Sequence, residues 1–200
     1  MKKFALFISG RGSNMAALLE AFKNGSLLAE PVLVISNRAQ APGLDVARAY
    51  GVRTEYVSWK NPDAETRAVE LVKQAGAEFI VLAGFMRVVG PALIEAFPDS
   101  IINIHPSLLP SFPGLHAQQQ AVDYGVRVSG CTTHFVNAGV DTGPIILQKV
   151  VEVRGDDTGD SLAARILEHE HTLLVRTVNL MAENRLRVEN DRHVRITGDV

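Results

Sequence analysis

Ile101-Ile-Asn-Ile-His-Pro-Ser-Leu-Leu-Pro110 is the stretch from which the rest of the chain is best read. An apolar run here carries two polar side chains, Asn103 and His105, with no packing reason to be present. In an extended segment, side chains alternate between faces. Ile102 and Ile104 then point one way, and Ile101, Asn103 and His105 the other. At about 3.3 Å per residue, Asn103 and His105 stand side by side roughly 6.6 Å apart. Pro106 has no N–H for a ladder, so the strand should end at His105. A carboxamide and an imidazole at the carboxyl end of a buried strand sit where open α/β sheets hold their ligands. Read alone, the pair could equally be satisfied core polar groups, so the surrounding sequence has to decide.

Outward from that strand the chain alternates. Runs at 4–9, 31–36, 52–57 and 78–83 read as strands. Segments 14–23, 42–50, 63–75 and 91–97 have helical spacing, and Gly25, Gly51 and Gly76 stop three of them. The βα alternation predicts an α/β fold with a doubly wound, Rossmann-like, mostly parallel sheet. After His105 the style changes. Pro106, Pro110, Pro113 and Gly114 mark a held loop. A helix is expected over 116–124, and strands over 126–136 and 144–153 should add antiparallel edges. Residues 161–185 form a long amphipathic helix. The tail, 186–200, alternates only weakly and ends polar.

Composition bounds the function. Two hundred residues, 46% hydrophobic and 21% charged, suit one soluble globular domain. A net charge of −2 points to neither nucleic acid nor a membrane surface. A single cysteine, Cys131, excludes an intrachain disulfide framework and suits a reducing, cytoplasmic setting. Phe4–Ile8 is too short for a signal-peptide core, and no run reaches membrane-spanning length.

Four further segments can carry chemistry. Ser9-Gly-Arg-Gly-Ser-Asn14 joins the first strand to the first helix. It is neither a Walker A loop nor a dinucleotide fingerprint. Ser13 or Asn14 could merely cap the helix, but two glycines and an arginine exceed a cap's needs and fit a single phosphate. Gly84 through Val89 follows a buried strand, and Met86, Val88 and Val89 suit either core packing or an apolar slot for a flat ligand. Asp141 lies in the turn 137–143 and matters only if the fold brings it beside His105, whose tautomer it would fix and whose pKa it would raise. His116 and His134 could face the same cleft. Glu168-His-Glu-His171 is not a metal site, because His169 and His171 are two apart and face different sides of a helix.

Together, Ser9–Asn14, Leu82–Arg87, Asn103–Pro110, Pro113–His116 and Asp141–Ile145 resemble the phosphoribosylglycinamide formyltransferases of the folate-dependent formyltransferase superfamily. The resemblance runs in order from residue 4 to about 171. It implies a single formyltransferase domain over 1–200, with a phosphate-holding half of about 1–100 and a folate and catalytic half of about 101–200. It implies that Gly12, Ser13 and Asn14 hold the phosphate of glycinamide ribonucleotide, and that Leu167, Glu168, His169 and Glu170 meet its glycinamide end. Met86, Arg87, Val88 and Val89, with Asn137, Ala138, Gly139, Val140 and Asp141, would cradle the pterin of 10-formyltetrahydrofolate, the co-substrate, alongside Asn103. Asn103, His105 and Asp141 would be the catalytic trio: the Asn103 amide N–H₂ and an imidazolium at His105 stabilise the oxyanion, and Asp141 keeps the ring charged. Where the family carries an arginine toward the folate carboxylate, this chain reads Lys60 through Arg67, so Arg67 or Lys60 becomes the candidate.

The expected partners are small molecules only, the expected assembly a monomer or weak homodimer, and no metal is expected. Transfer to water or to methionyl-tRNA would need a further domain, for which the chain leaves no room. A nucleotide sensor would leave Asn103 and His105 unexplained.

Overall fold

The computed structural model describes residues 1–198. Its main sheet has seven strands: β1 (Lys2–Ile8), β2 (Ala29–Ser36), β3 (Arg53–Tyr56), β4 (Phe79–Leu82), β5 (Ile101–His105), β6 (Val128–Phe135) and β7 (Ile145–Glu152). Their order is β3-β2-β1-β4-β5-β6-β7. The first five run parallel, while β6 and β7 are antiparallel additions at one edge. The chain winds outward from β1 to β3 and then returns across β1 to β4, which opens a crevice at the carboxyl ends of β1 and β4.

Both faces of the sheet are covered, and side-chain alternation explains how. Phe4, Leu6 and Ile8 enter one core with Ile102 and Ile104, under α1 (Ser13–Lys23), α2 (Pro42–Ala49), α5 (Ala117–Tyr124) and the 24-residue α6 (Gly159–Ala182). Ala5, Phe7 and Ile101 enter the other, under α3 (Ala64–Gln74) and α4 (Pro91–Ala96). The split of Ile101 from Ile102 and Ile104 is the one expected of an extended strand ending at Pro106. Helix α6 starts at a capping box: Ser161 N–H donates to the Thr158 hydroxyl, and Ser161 Oγ accepts from Thr158 N–H. Cys131 lies wholly buried in the first core, and burial pushes its thiol up to about 12.

The weakly alternating tail forms a second sheet: β8 (Leu186–Glu189) and β9 (His193–Ile196) pair as an antiparallel hairpin. Its turn uses Asn190 and Asp191 in the left-handed region, at φ 51° and 53°, which these side chains tolerate better than most. Strands of four residues with a half-buried pattern leave little periodicity to read. Neither Ser13 nor Asn14 caps α1. The cap position is Gly12, at φ 72°, and no side chain bonds there.

The glycine loop is tightly seated. Gly43, at the start of α2, donates its N–H to the Gly10 carbonyl at 3.0 Å. A Cβ on Gly43 would lie 2.6 Å from Ile8 Cδ1 and 2.9 Å from that same carbonyl. Gly43→Ala therefore has to push the 10–12 loop away from α2. The expected loss is about 1–3 kcal/mol, in the range of core overpacking, read as a lower urea midpoint at unchanged slope.

Candidate active site

The carboxyl edge of the sheet gathers polar groups from four segments. Ser9 stitches the crevice: its N–H donates to the Gly84 carbonyl at 3.1 Å, and its hydroxyl accepts from Met86 N–H at 2.7 Å and donates to Asn37 Oδ1 at 2.6 Å. Just beyond, α1 begins with uncapped backbone N–H groups behind a left-handed glycine, with Arg11 and Ser13 exposed beside it. Uncapped N–H groups and the helix dipole are chemically suited to an anion. Asn14 turns inward, where its Nδ2 donates to Glu170 Oε2 at 2.7 Å. Its Oδ1 is buried without an intramolecular partner. Burial raises the Glu170 carboxyl above its ordinary value, and Asn14 partly opposes the shift.

Three strand residues and one loop residue form a second group. The β5–β6 register sets Asn103 opposite His134 and His105 opposite Thr132. His134 Nδ1 meets the Phe135 carbonyl at 2.8 Å, so that nitrogen carries the proton and Nε2 accepts from Asn103 Nδ2 at 3.1 Å. The second Asn103 hydrogen points at Asp141 Oδ1, 3.4 Å away. Asp141 Oδ2 lies 3.2 Å from His105 Nδ1 and accepts from Gly114 N–H at 2.8 Å. His105 Nε2 donates to the Phe112 carbonyl at 2.8 Å. The proline loop thus grips both members of the His–Asp pair. Thr132 holds that loop in turn, donating to the Ser107 carbonyl at 2.7 Å and accepting from Leu109 N–H at 3.1 Å.

Proton counting defines the electrostatics. With Nε2–H given to Phe112, the contact between Nδ1 and Oδ2 joins two acceptors unless a further proton lies between them. Burial works against that proton and lowers the His105 pKa; the Phe112 carbonyl and the Asp141 carboxylate pull it up, and His134 pulls it down. Asp141 raises the His105 pKa as expected, but desolvation outweighs the carboxylate and the net shift is downward. For Asp141, burial raises the pKa, but the His134 ring beside it, the hydrogen bond from Gly114 N–H and the charge of His105 leave it lowered. Both Asn103 amide hydrogens face side chains of this cluster, His134 and Asp141.

Other expectations divide. Met86 and Val88 are 57% and 65% exposed, as an open slot wall requires, and Arg87 is exposed. Val89 instead packs into the second core. Phe85 anchors this loop against Phe7 and Trp59, at ring separations of 5.4 and 4.8 Å. Ala138, Gly139 and Val140 are exposed, while Asn137 Oδ1 ties the loop together by accepting from Gly139 N–H and the Thr142 hydroxyl. Of residues 167–170 on α6, only Glu170 turns fully inward. Leu167 and His169 are half-buried, and Glu168 lies on the solvent face because successive helical residues diverge. His134 joins the cluster, whereas His116 stands exposed at the start of α5. Arg67 pairs with Glu70 at 3.0 Å on α3 and does not touch the cluster, and Lys60 is exposed. Spacing gave no sign of the Phe112 carbonyl or the Gly114 N–H, since backbone groups have no residue signature. Among the described residues, no group of three or more His, Cys, Asp or Glu side chains could hold a metal ion, and no helix is long and apolar enough to cross a membrane.

Glu170 supplies a pH test. Its raised folded pKa gives stability that is fully present below the unfolded value of about 4.5 and lost as pH rises through the folded value. Glu170→Gln keeps an acceptor for Asn14 and removes the titration. The variant should gain Tm over wild type at pH 8, and the gain should shrink toward pH 4.5 in thermal melts.

The chain is similar to proteins of known family. Residues 2–178 match the formyl transferase family model. A trifunctional purine biosynthetic protein adenosine-3 of Drosophila pseudoobscura pseudoobscura is 45% identical over 93% of this chain, which spans only 14% of that protein's length. A phosphoribosylglycinamide formyltransferase of Bacillus subtilis is 42% identical over 86% of this chain and 90% of its own. The crystal structure of glycinamide ribonucleotide transformylase 1 from Symbiobacterium toebii superposes with a TM-score of 0.96 at 44% identity, covering 99% of this chain and 95% of that one. The chain belongs to the formyl transferase family, in its phosphoribosylglycinamide formyltransferase branch.

Proposed function

We propose that the protein transfers the formyl group of 10-formyltetrahydrofolate to the amine of glycinamide ribonucleotide, giving formylglycinamide ribonucleotide and tetrahydrofolate for purine synthesis. One observation carries the reading: the Asn103–His105–Asp141 group and the anion seat at Gly12–Asn14 share one edge of the sheet. That arrangement suits a phosphorylated acceptor whose reacting end lies away from its phosphate. The open slot at Met86–Val88 and the exposed turn 138–140 suit a flat pterin. A buried, reduced Cys131 fits a cytoplasmic enzyme.

The chemistry follows from the groups present. The glycinamide amine attacks the formyl carbon, and the carbonyl becomes a tetrahedral oxyanion. His105 Nε2–H exchanges the Phe112 carbonyl for that oxygen. The Asn103 hydrogen that turns toward it is the one at 3.4 Å from Asp141, the weaker of its two contacts. Preorganised donors of this kind contribute several kcal/mol where charge develops. Collapse of the intermediate breaks the bond to the folate N10. Net, one proton leaves the attacking nitrogen and one arrives at N10. The His105–Asp141 pair can take up the proton that leaves the attacking nitrogen and pass it to N10, and burial makes the charged ring give it up readily. Asp141 orients the ring throughout.

A formyl-transfer assay with glycinamide ribonucleotide or water as acceptor tests the reading directly. Product should form with the ribonucleotide and be negligible with water. His105→Ala should lower kcat by about 10²–10⁴-fold, the span of general acid catalysis, at a Tm close to wild type. Near-wild-type turnover in that variant overturns the assignment.

A further inference from the structure

The C-terminal hairpin reaches the loop that carries Asp141. Arg192, beside its turn, donates from Nη1 to the Thr142 carbonyl at 3.0 Å, across 50 positions of sequence. The hairpin is itself seated, with Leu186, Val188 and Val194 packed against the first core. Between hairpin and loop lies a cavity of about 450 Å³, lined by Leu109, Pro110, Asp141, Ile145, Arg192 and Val194 among others. The loop over that cavity is held from two sides. Asp141 turns in the left-handed region at φ 53°, which aspartate tolerates better than most residues, so its aim depends on the flanking contacts. From within, Asn137 Oδ1 holds the Thr142 hydroxyl at 2.8 Å. From the hairpin side the hold is Arg192.

We propose that Arg192 is a positioning residue for the transfer reaction: by clamping the Thr142 carbonyl it keeps the Asp141 carboxylate against His105 and Asn103. This rests on the role given to Asp141 above. A ring and a carboxylate 3.2 Å apart tolerate little displacement, and misplacement by about 1 Å can lower a rate on the order of 10²-fold. The arginine touches none of the reacting groups; its effect passes through one peptide unit.

The test compares Arg192→Ala, Arg192→Lys and Arg195→Ala. Arg195 lies on β9 of the same hairpin and pairs with Glu189 at 3.0 Å, so its loss perturbs the hairpin without touching the loop. Arg192→Ala should lower kcat about ten- to a hundred-fold at temperatures well below its Tm, with the ribonucleotide KM within about two-fold of wild type. Arg192→Lys, which keeps a donor for the carbonyl, should recover most of the loss, and Arg195→Ala should match wild type. In ligand-free protein, NMR should show the His105 ring titration displaced downward in Arg192→Ala only, because the Asp141 contact that raises it is weakened. A wild-type protein inert toward the ribonucleotide, with the His105 displacement still present, would count against the formyl-transfer reading and leave the clamp standing. A kcat for Arg192→Ala within two-fold of an active wild type, a loss matched by Arg195→Ala, or an unmoved His105 titration overturns the clamp.

Discussion

The antiparallel register of β5 against β6 is the constraint on which the candidate site depends. Side chains at paired positions of an antiparallel ladder share a face at close range. Asn103 therefore meets His134, and His105 stands over Thr132. From those two pairings the rest follows. His134 takes one amide hydrogen of Asn103, which turns the other toward Asp141. Thr132 fixes the proline loop, which returns Phe112 and Gly114 to the His–Asp pair. A one-residue slip would send every one of these side chains to the other face.

The opposite end of the crevice uses backbone rather than side chains. The chain reversal between β3 and β4 leaves room above β1, and Ser9 bridges that gap to Gly84 and Met86. The packing of Gly43 against Gly10 holds the turn that exposes the first N–H groups of α1. The two regions differ in electrostatic strategy. One offers open dipoles to an anion. The other buries four titratable or amide groups so closely that their protons must be shared.

Much of the architecture was legible because buried parallel strands are continuous apolar runs and their helices carry apolar stripes. Phe79–Leu82 and α6 show both signals plainly. Asn103 and His105 stood out because polar groups interrupt such a run. Legibility failed where the signal is short or carried by backbone. The hairpin of β8 and β9 offers four residues per strand, half-buried, so its alternation is faint. Val89 read as slot lining because an apolar residue after a strand looks the same whether it faces a ligand or a core. The direction of the His105 shift depended on how dry the site is, and dryness is a property of packing that no spacing encodes.

Cys131 has a practical corollary. A thiol held near 12 in a dry core is almost entirely protonated at neutral pH, and the thiolate is the form that reacts. Alkylating and oxidising reagents should therefore find no purchase on the native chain. Since the sequence holds no other cysteine, its labelling becomes a clock for opening of the β6 region, readable without any engineered probe.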